Sequence, residues 1–133
     1  KIKSEIVNAD EFDTGIRQIL NFGHTFGHAI ETYSNFKLIH GYAVAIGMCM
    51  MAKSAEKLEI CSKETAQKII ALIEKYGLPT SYGISDETVA SLMLSDKKVM
   101  GSSINMIVPK EIGQCEILPV PTENILNFIK GTK

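Results

Sequence analysis

A chain of 133 residues, 45% apolar and 22% charged, lies in the ordinary range of a single globular domain and can bury a real core. Its formal net charge of −1 and lack of any run of five like charges exclude a nucleic-acid binder, which needs a clustered basic face, while leaving a small anionic ligand open. Cys49, Cys61 and Cys115 are scattered and form no CxxC pair, which argues against a disulfide framework and a cysteine-rich zinc site and fits a reducing cytoplasm.

The chain opens on Lys1, and Lys1 to Val7 read as mid-helix with no cap before them, so an N-terminal half is expected to be missing. A polar, turn-prone run from Asn8 to Gly15 follows, in which Asp13 or Thr14 can cap a helix predicted from about Ile16 to Tyr33. Ser34 and Asn35 break that helix. A second is expected from Tyr42 to about Leu58, apolar on every face in its first half and therefore central in the core. Its most apolar run, Ala43 to Ala52, is about ten residues, too short to span a membrane, and no signal-peptide pattern occurs. Ser62 caps a third helix, ended by Gly77 and then Pro79, and Ser85 caps a fourth over Asp86 to about Leu94. Beyond Gly101 the runs Ile104 to Val108 and Gln114 to Leu118 flank a Lys-Glu-Ile-Gly turn and predict one β-hairpin. Thr122 is expected to cap a last helix, closed by Gly131. The predicted fold is mainly α, a helical domain with one small hairpin near its C-terminus.

All three histidines, His24, His28 and His40, lie within seventeen residues. On the predicted helix, with Arg17 taken as zero, Asn21 falls at roughly +40°, His24 at roughly −20° and His28 at roughly +20°. One cation, one amide and two imidazoles thus converge on one stripe. A polar stripe is usually a solvated face, but such faces are made of Lys, Glu and Gln. Gly23 and Gly27 beside the stripe each cost about 1 kcal/mol against Ala, which makes sense where a helix or a ligand packs closely. The chemistry indicated is a metal and anion site. The HExxH pattern fails, because Thr25 stands where the general-base Glu belongs. Two histidines with a third ligand and an open position form the common catalytic zinc arrangement, and periodicity leaves open whether His24 pairs with His40 or His28.

The run from Arg17 to Glu31 (RQILNFGHTFGHAIE) resembles the signature of the 3-dehydroquinate synthases. His40-Gly-Tyr-Ala-Val-Ala-Ile-Gly-Met48 is similar to a second signature of that family at the correct distance, and Asp96-Lys97-Lys98 with Gly101 to a third. The resemblance covers the whole chain and only the C-terminal, helical half of such an enzyme. It implies that His24 and His40 are zinc ligands, the third being a Glu upstream of Lys1. It further implies that His28 faces the substrate, and that Arg17, Asn21 and Lys3 hold the substrate's carboxylate, hydroxyls and phosphate. One lysine of the Lys97–Lys98 pair, Lys98 being preferred, contacts phosphate. Tyr42 stands where the family usually reads Glu, and Asp13 where Glu is usual.

That family converts the sugar acid phosphate DAHP into 3-dehydroquinate with NAD and zinc or a similar divalent metal such as cobalt. The sequence of steps is oxidation, phosphate elimination, reduction and ring closure. The family is commonly homodimeric and acts in the shikimate pathway. This chain has no GxGxxG after a strand, so NAD is expected to be bound by the missing N-terminal domain and the isolated chain to be inactive. The competing readings are another sugar phosphate cyclase, a metal-dependent polyol dehydrogenase, and a non-catalytic helical module with structural histidines. Met48, Met50 and Met51 read as core packing, the cysteines as small buried hydrophobes, and Tyr76 and Tyr82 as packing residues.

Overall fold

The computed structural model describes residues 22–95, 103–111 and 114–131. Over these the chain forms α1 (His24–Tyr33), α2 (His40–Lys57), α3 (Lys63–Lys75), α4 (Asp86–Ser95), β1 (Ser103–Glu111), β2 (Gln114–Pro121), a 3₁₀ turn (Thr122–Asn124) and α5 (Ile125–Lys130). The architecture is mainly α with one antiparallel hairpin, as the hydrophobic periodicity predicts.

Helix α2 is the hub. Its Ala, Gly, Cys and Met side chains bury on several faces because a different element covers each one. Ala45, Cys49, Ala52 and Ala55 meet Ala66, Ile69 and Ile73 of α3. Met51 enters the main core with Phe26, Val89, Met106, Val108, Ile125 and Phe128. The Ser54 hydroxyl, buried at the same end, donates to the Ile129 carbonyl at 3.0 Å, so its polar atom is satisfied.

Local signals set the other elements. The Ser62 side chain accepts the Thr65 amide at 3.1 Å, and Ser85 accepts that of Thr88 at 3.1 Å, each satisfying a free N–H of a first helical turn. Gly77 (φ +71°) follows α3, and Gly131 (φ +74°) closes α5 in the left-handed conformation. The hairpin pairs Ile104 with Val120 and Met106 with Leu118, and is longer than the apolar runs alone suggest.

Two expectations are corrected. The helix predicted from Ile16 to Tyr33 begins at His24, because Phe22 and Gly23 form a turn and Gly23 adopts φ +83°. A left-handed residue ends helical phase, so the wheel that carried Arg17 and Asn21 onto one stripe with His24 does not run through Gly23. Thr122 caps nothing through its side chain. It starts the 3₁₀ turn, and α5 starts after Asn124, also without a side-chain cap. The expected opening helix and the turn run before Ile16 lie outside the described residues.

Candidate metal centre

Glycine at three positions brings α1 and α2 together in antiparallel contact. Gly27 lies against Ala43 and Val44, and Gly23 against Val44 and Met48. A Cβ at Gly47 would run into the Gly23 carbonyl oxygen and come within 2.7 Å of the Gly27 amide nitrogen. The close approach predicted from Gly23 and Gly27 is thus made by a helix, α2 itself. It fixes the two segments that carry His24 and His40.

The connector between them is tightly turned. Ser34, buried, donates its hydroxyl to the Glu31 carbonyl at 2.9 Å and accepts the Leu38 amide at 3.3 Å. Asn35 (φ +56°) and Phe36 (φ +61°) are both left-handed, an arrangement that costs about 1–3 kcal/mol per residue and persists only where its surroundings enforce it. The turn delivers His40 as the first residue of α2.

The His24 and His40 rings lie 5.5 Å apart between centroids, tilted by 53°. Two imidazoles on one tetrahedral ion, each nitrogen about 2.1 Å from it, would have centroids roughly 5 Å apart, so the observed pair fits a shared divalent metal. The Nδ1 atom of His24 is buried with no hydrogen-bond partner among the described residues. Buried polar atoms are nearly always satisfied, so this nitrogen is free to take a ligand that the described residues do not supply. His40 Nδ1 lies 2.7 Å from Glu31 Oε1. Among the described residues no group of three or more metal-ligating side chains is assembled, so this pair needs a further ligand from elsewhere.

Both histidines border an open pocket of about 390 Å³ between α2 and α3. Its wall is apolar, formed by Val44, Ala45 and Met48 of α2 with Leu72, Ile73, Tyr76 and Leu78. Tyr76 is 73% exposed, contrary to its expected packing role, whereas Tyr82, itself 39% exposed, makes an edge-on ring contact with Tyr33 at 6.2 Å. Met51 is buried core as expected, while Met48 is half-buried on the pocket wall.

His28 is exposed on α1 one turn beyond His24 and does not border the pocket. Of the two pairings left open by periodicity, the structure brings together His24 and His40. Lys3, Asp13, Arg17, Asn21, Lys97 and Lys98 lie outside the described residues. Tyr42 is 40% exposed on the first turn of α2. The cysteines are not candidates for chemistry. Burial pushes Cys49 up to about 11 and raises Cys61 and Cys115 as well, so all three stay protonated near neutrality. Glu31 was not among the residues singled out from sequence, although the signal existed. It is seven residues after His24, roughly −20° away on a helix, and so lies on the same stripe.

Residues 1–99 match the family described as 3-dehydroquinate synthase C-terminal. The 3-dehydroquinate synthase of Streptococcus suis (strain 05ZYH33) is 42% identical over 133 residues, covering 98% of this chain and 37% of that protein. That of Dehalococcoides mccartyi is 47% identical over 126 residues, covering 94% and 34%. In fold, the chain is similar to 2-deoxy-scyllo-inosose synthase, crystallised with carbaglucose-6-phosphate, NAD+ and Co2+ (TM-score 0.80, 22% identity, 98% of this chain and 39% of that one). It is likewise similar to a 2-epi-5-epi-valiolone synthase from Streptomyces hygroscopicus with NAD+ and Zn2+ bound (TM-score 0.77, 19% identity, 95% and 36%). The chain spans little more than a third of the length of the curated relatives it matches.

Proposed function

The chain belongs to the 3-dehydroquinate synthase family, and from that premise we propose that it is the C-terminal, metal- and substrate-holding part of an enzyme converting DAHP to 3-dehydroquinate and phosphate. The observation that carries the metal half of this reading is the His24–His40 pair, with ring centroids 5.5 Å apart and a buried His24 nitrogen that has no partner among the described residues. His24 and His40 hold a divalent ion, zinc or cobalt, together with a Glu supplied by an N-terminal domain. When bound, such an ion lowers the pKa of a substrate hydroxyl and prepares it for oxidation. Imidazole ligands suit either metal. NAD is bound by that same N-terminal domain. Among the described residues no strand precedes Ser103, so none of them forms a strand-to-helix phosphate loop.

The remaining roles fall to side chains of this chain. Arg17 takes the substrate carboxylate, where a guanidinium can bond in bidentate fashion. Lys3 and one of Lys97 and Lys98 take the phosphate, Asn21 the hydroxyls, and His28 faces the substrate. Holding both charged ends restricts a flexible seven-carbon chain to its reactive conformer, which lowers the barrier by several kcal/mol. DAHP is favoured over the substrates of other cyclases because sequence identity is 42% and 47% to 3-dehydroquinate synthases and 22% or less to the two cyclases above. The intact enzyme works as a cytoplasmic homodimer. No helix among the described residues is long and apolar enough to cross a membrane.

Incubating the full-length protein with DAHP should release phosphate and 3-dehydroquinate in equal amounts with no net NADH. A chelator should stop turnover, and the 133-residue chain alone should give none. His24→Ala or His40→Ala should remove bound zinc and lower turnover by about a thousandfold. Accumulating NADH would instead identify a dehydrogenase, and unchanged zinc content in both variants would end the metal assignment.

A further inference from the structure

Glu31 sits outside the roles assigned so far, yet three observations converge on it. Its carboxylate oxygen is 2.7 Å from His40 Nδ1, closer than the carboxylate–lysine distances of 3.2 and 3.4 Å found elsewhere among the described residues. Its side chain is only 14% exposed although the His40 side chain is 61% exposed, whereas in the other two pairs, Lys110–Glu116 and Lys130–Glu87, the carboxylate itself is open to solvent. Exposed pairs contribute little, but a sheltered carboxylate needs its partner. Finally, the backbone carbonyl of Glu31 anchors the turn that delivers His40. It accepts the Ser34 hydroxyl and the Phe36 amide at 2.8 Å, through the two left-handed residues Asn35 and Phe36. One residue therefore holds both the main-chain path to His40 and the ring that path presents.

We infer that Glu31 is the positioning residue of the metal centre, fixing the His40 ring and its tautomer through the Nδ1–Oε1 hydrogen bond. A carboxylate oxygen only accepts, so Nδ1 carries the proton and donates it. The neutral imidazole then keeps its lone pair on Nε2, the nitrogen left for a metal. A carboxylate behind a ligating imidazole also raises its basicity, and loss of such a partner typically weakens metal affinity 10- to 100-fold. Among the described residues no group of three metal-ligating side chains is assembled, so Glu31 stands behind His40 and is not a third ligand beside the pair.

The inference rests on the proposed metal reading, and the experiment separates the two. In the full-length protein, zinc affinity is measured by competition with a coloured chelator, and the cobalt-loaded protein is examined by visible absorption. Glu31→Ala should weaken zinc about 10- to 100-fold and shift the cobalt bands. Glu31→Gln, which keeps an acceptor oxygen of the same reach without the charge, should recover part of both and serves as the readout if the alanine variant does not fold. A purely structural carboxylate would change the melting temperature and leave the cobalt bands of the folded protein in place, which overturns the inference. His40→Ala is the control. Lost zinc there with wild-type affinity and spectrum in both Glu31 variants sinks the positioning role alone, whereas unchanged zinc in His40→Ala sinks the metal reading with it.

Discussion

At the hairpin end of the molecule, Met106, Val108 and Val120 of the two strands close on Ile125 and Phe128 of α5, and the buried Ser54 hydroxyl is answered by the Ile129 carbonyl. Where α1 meets α2, by contrast, backbone packs on backbone through Gly23, Gly27 and Gly47, two non-glycine residues are left-handed, and His24 keeps a buried nitrogen without a described partner. The first region is held by apolar side chains, and its buried Ser54 hydroxyl is answered. The second accepts glycine, strain and an unanswered polar atom in one place. Such departures often cluster at functional sites, so the contrast makes the α1–α2 junction the candidate without reference to any relative, although a third left-handed residue, Glu59, lies elsewhere.

That contrast can be broken by experiment. The largest effect on stability is expected at the hairpin end, where Phe128→Ala should cost about 3–5 kcal/mol in a denaturant titration while zinc affinity stays within about twofold. Next comes Gly47→Ala. Its Cβ has no room against the Gly23 carbonyl, so the helices must separate, at about 1–3 kcal/mol, with a drop in zinc affinity of at least tenfold. If both variants lost stability and neither lost zinc, the junction would be ordinary core and the comparison would collapse. The smallest effect is a pH slope from Cys49. Burial raises the thiol to about 11, Lys53 opposes this and Glu74 adds to it. Between pH 9 and about 11 the folded chain keeps a proton that the unfolded chain has lost, so stability should fall as pH rises through that window. Urea midpoints at pH 8 and pH 10 would show it, and Cys49→Ala should flatten the trend.

Interactions spanning three or four residues were legible in the sequence. Ser62 and Ser85 cap the helices they were expected to cap, Gly77 and Gly131 end theirs, and the hairpin lies where alternating apolar runs put it. A cap or a turn is decided by groups that cannot avoid each other along the chain, so local chemistry suffices. The start of the first helix was not legible, for the complementary reason. Gly23 is compatible with a helix and with a left-handed turn, and its close packing against Val44 and Met48 accompanies the turn.

The candidate site divides in the same way. The histidines and their unusual neighbours were visible as residue types, as was a shared stripe that, continued forwards, includes Glu31. Which two imidazoles meet was not visible, because His24 and His28 are neighbours by helical phase whereas His24 and His40 are neighbours only by helix packing. Three glycines and a buried serine set that packing, and they act across sixteen residues of chain. The sequence by itself determined the ingredients of the centre and the elements that carry them. Only tertiary contact brings the His40 ring beside that of His24 and sets Glu31 against it, because contact between helices depends on how closely two backbones can approach.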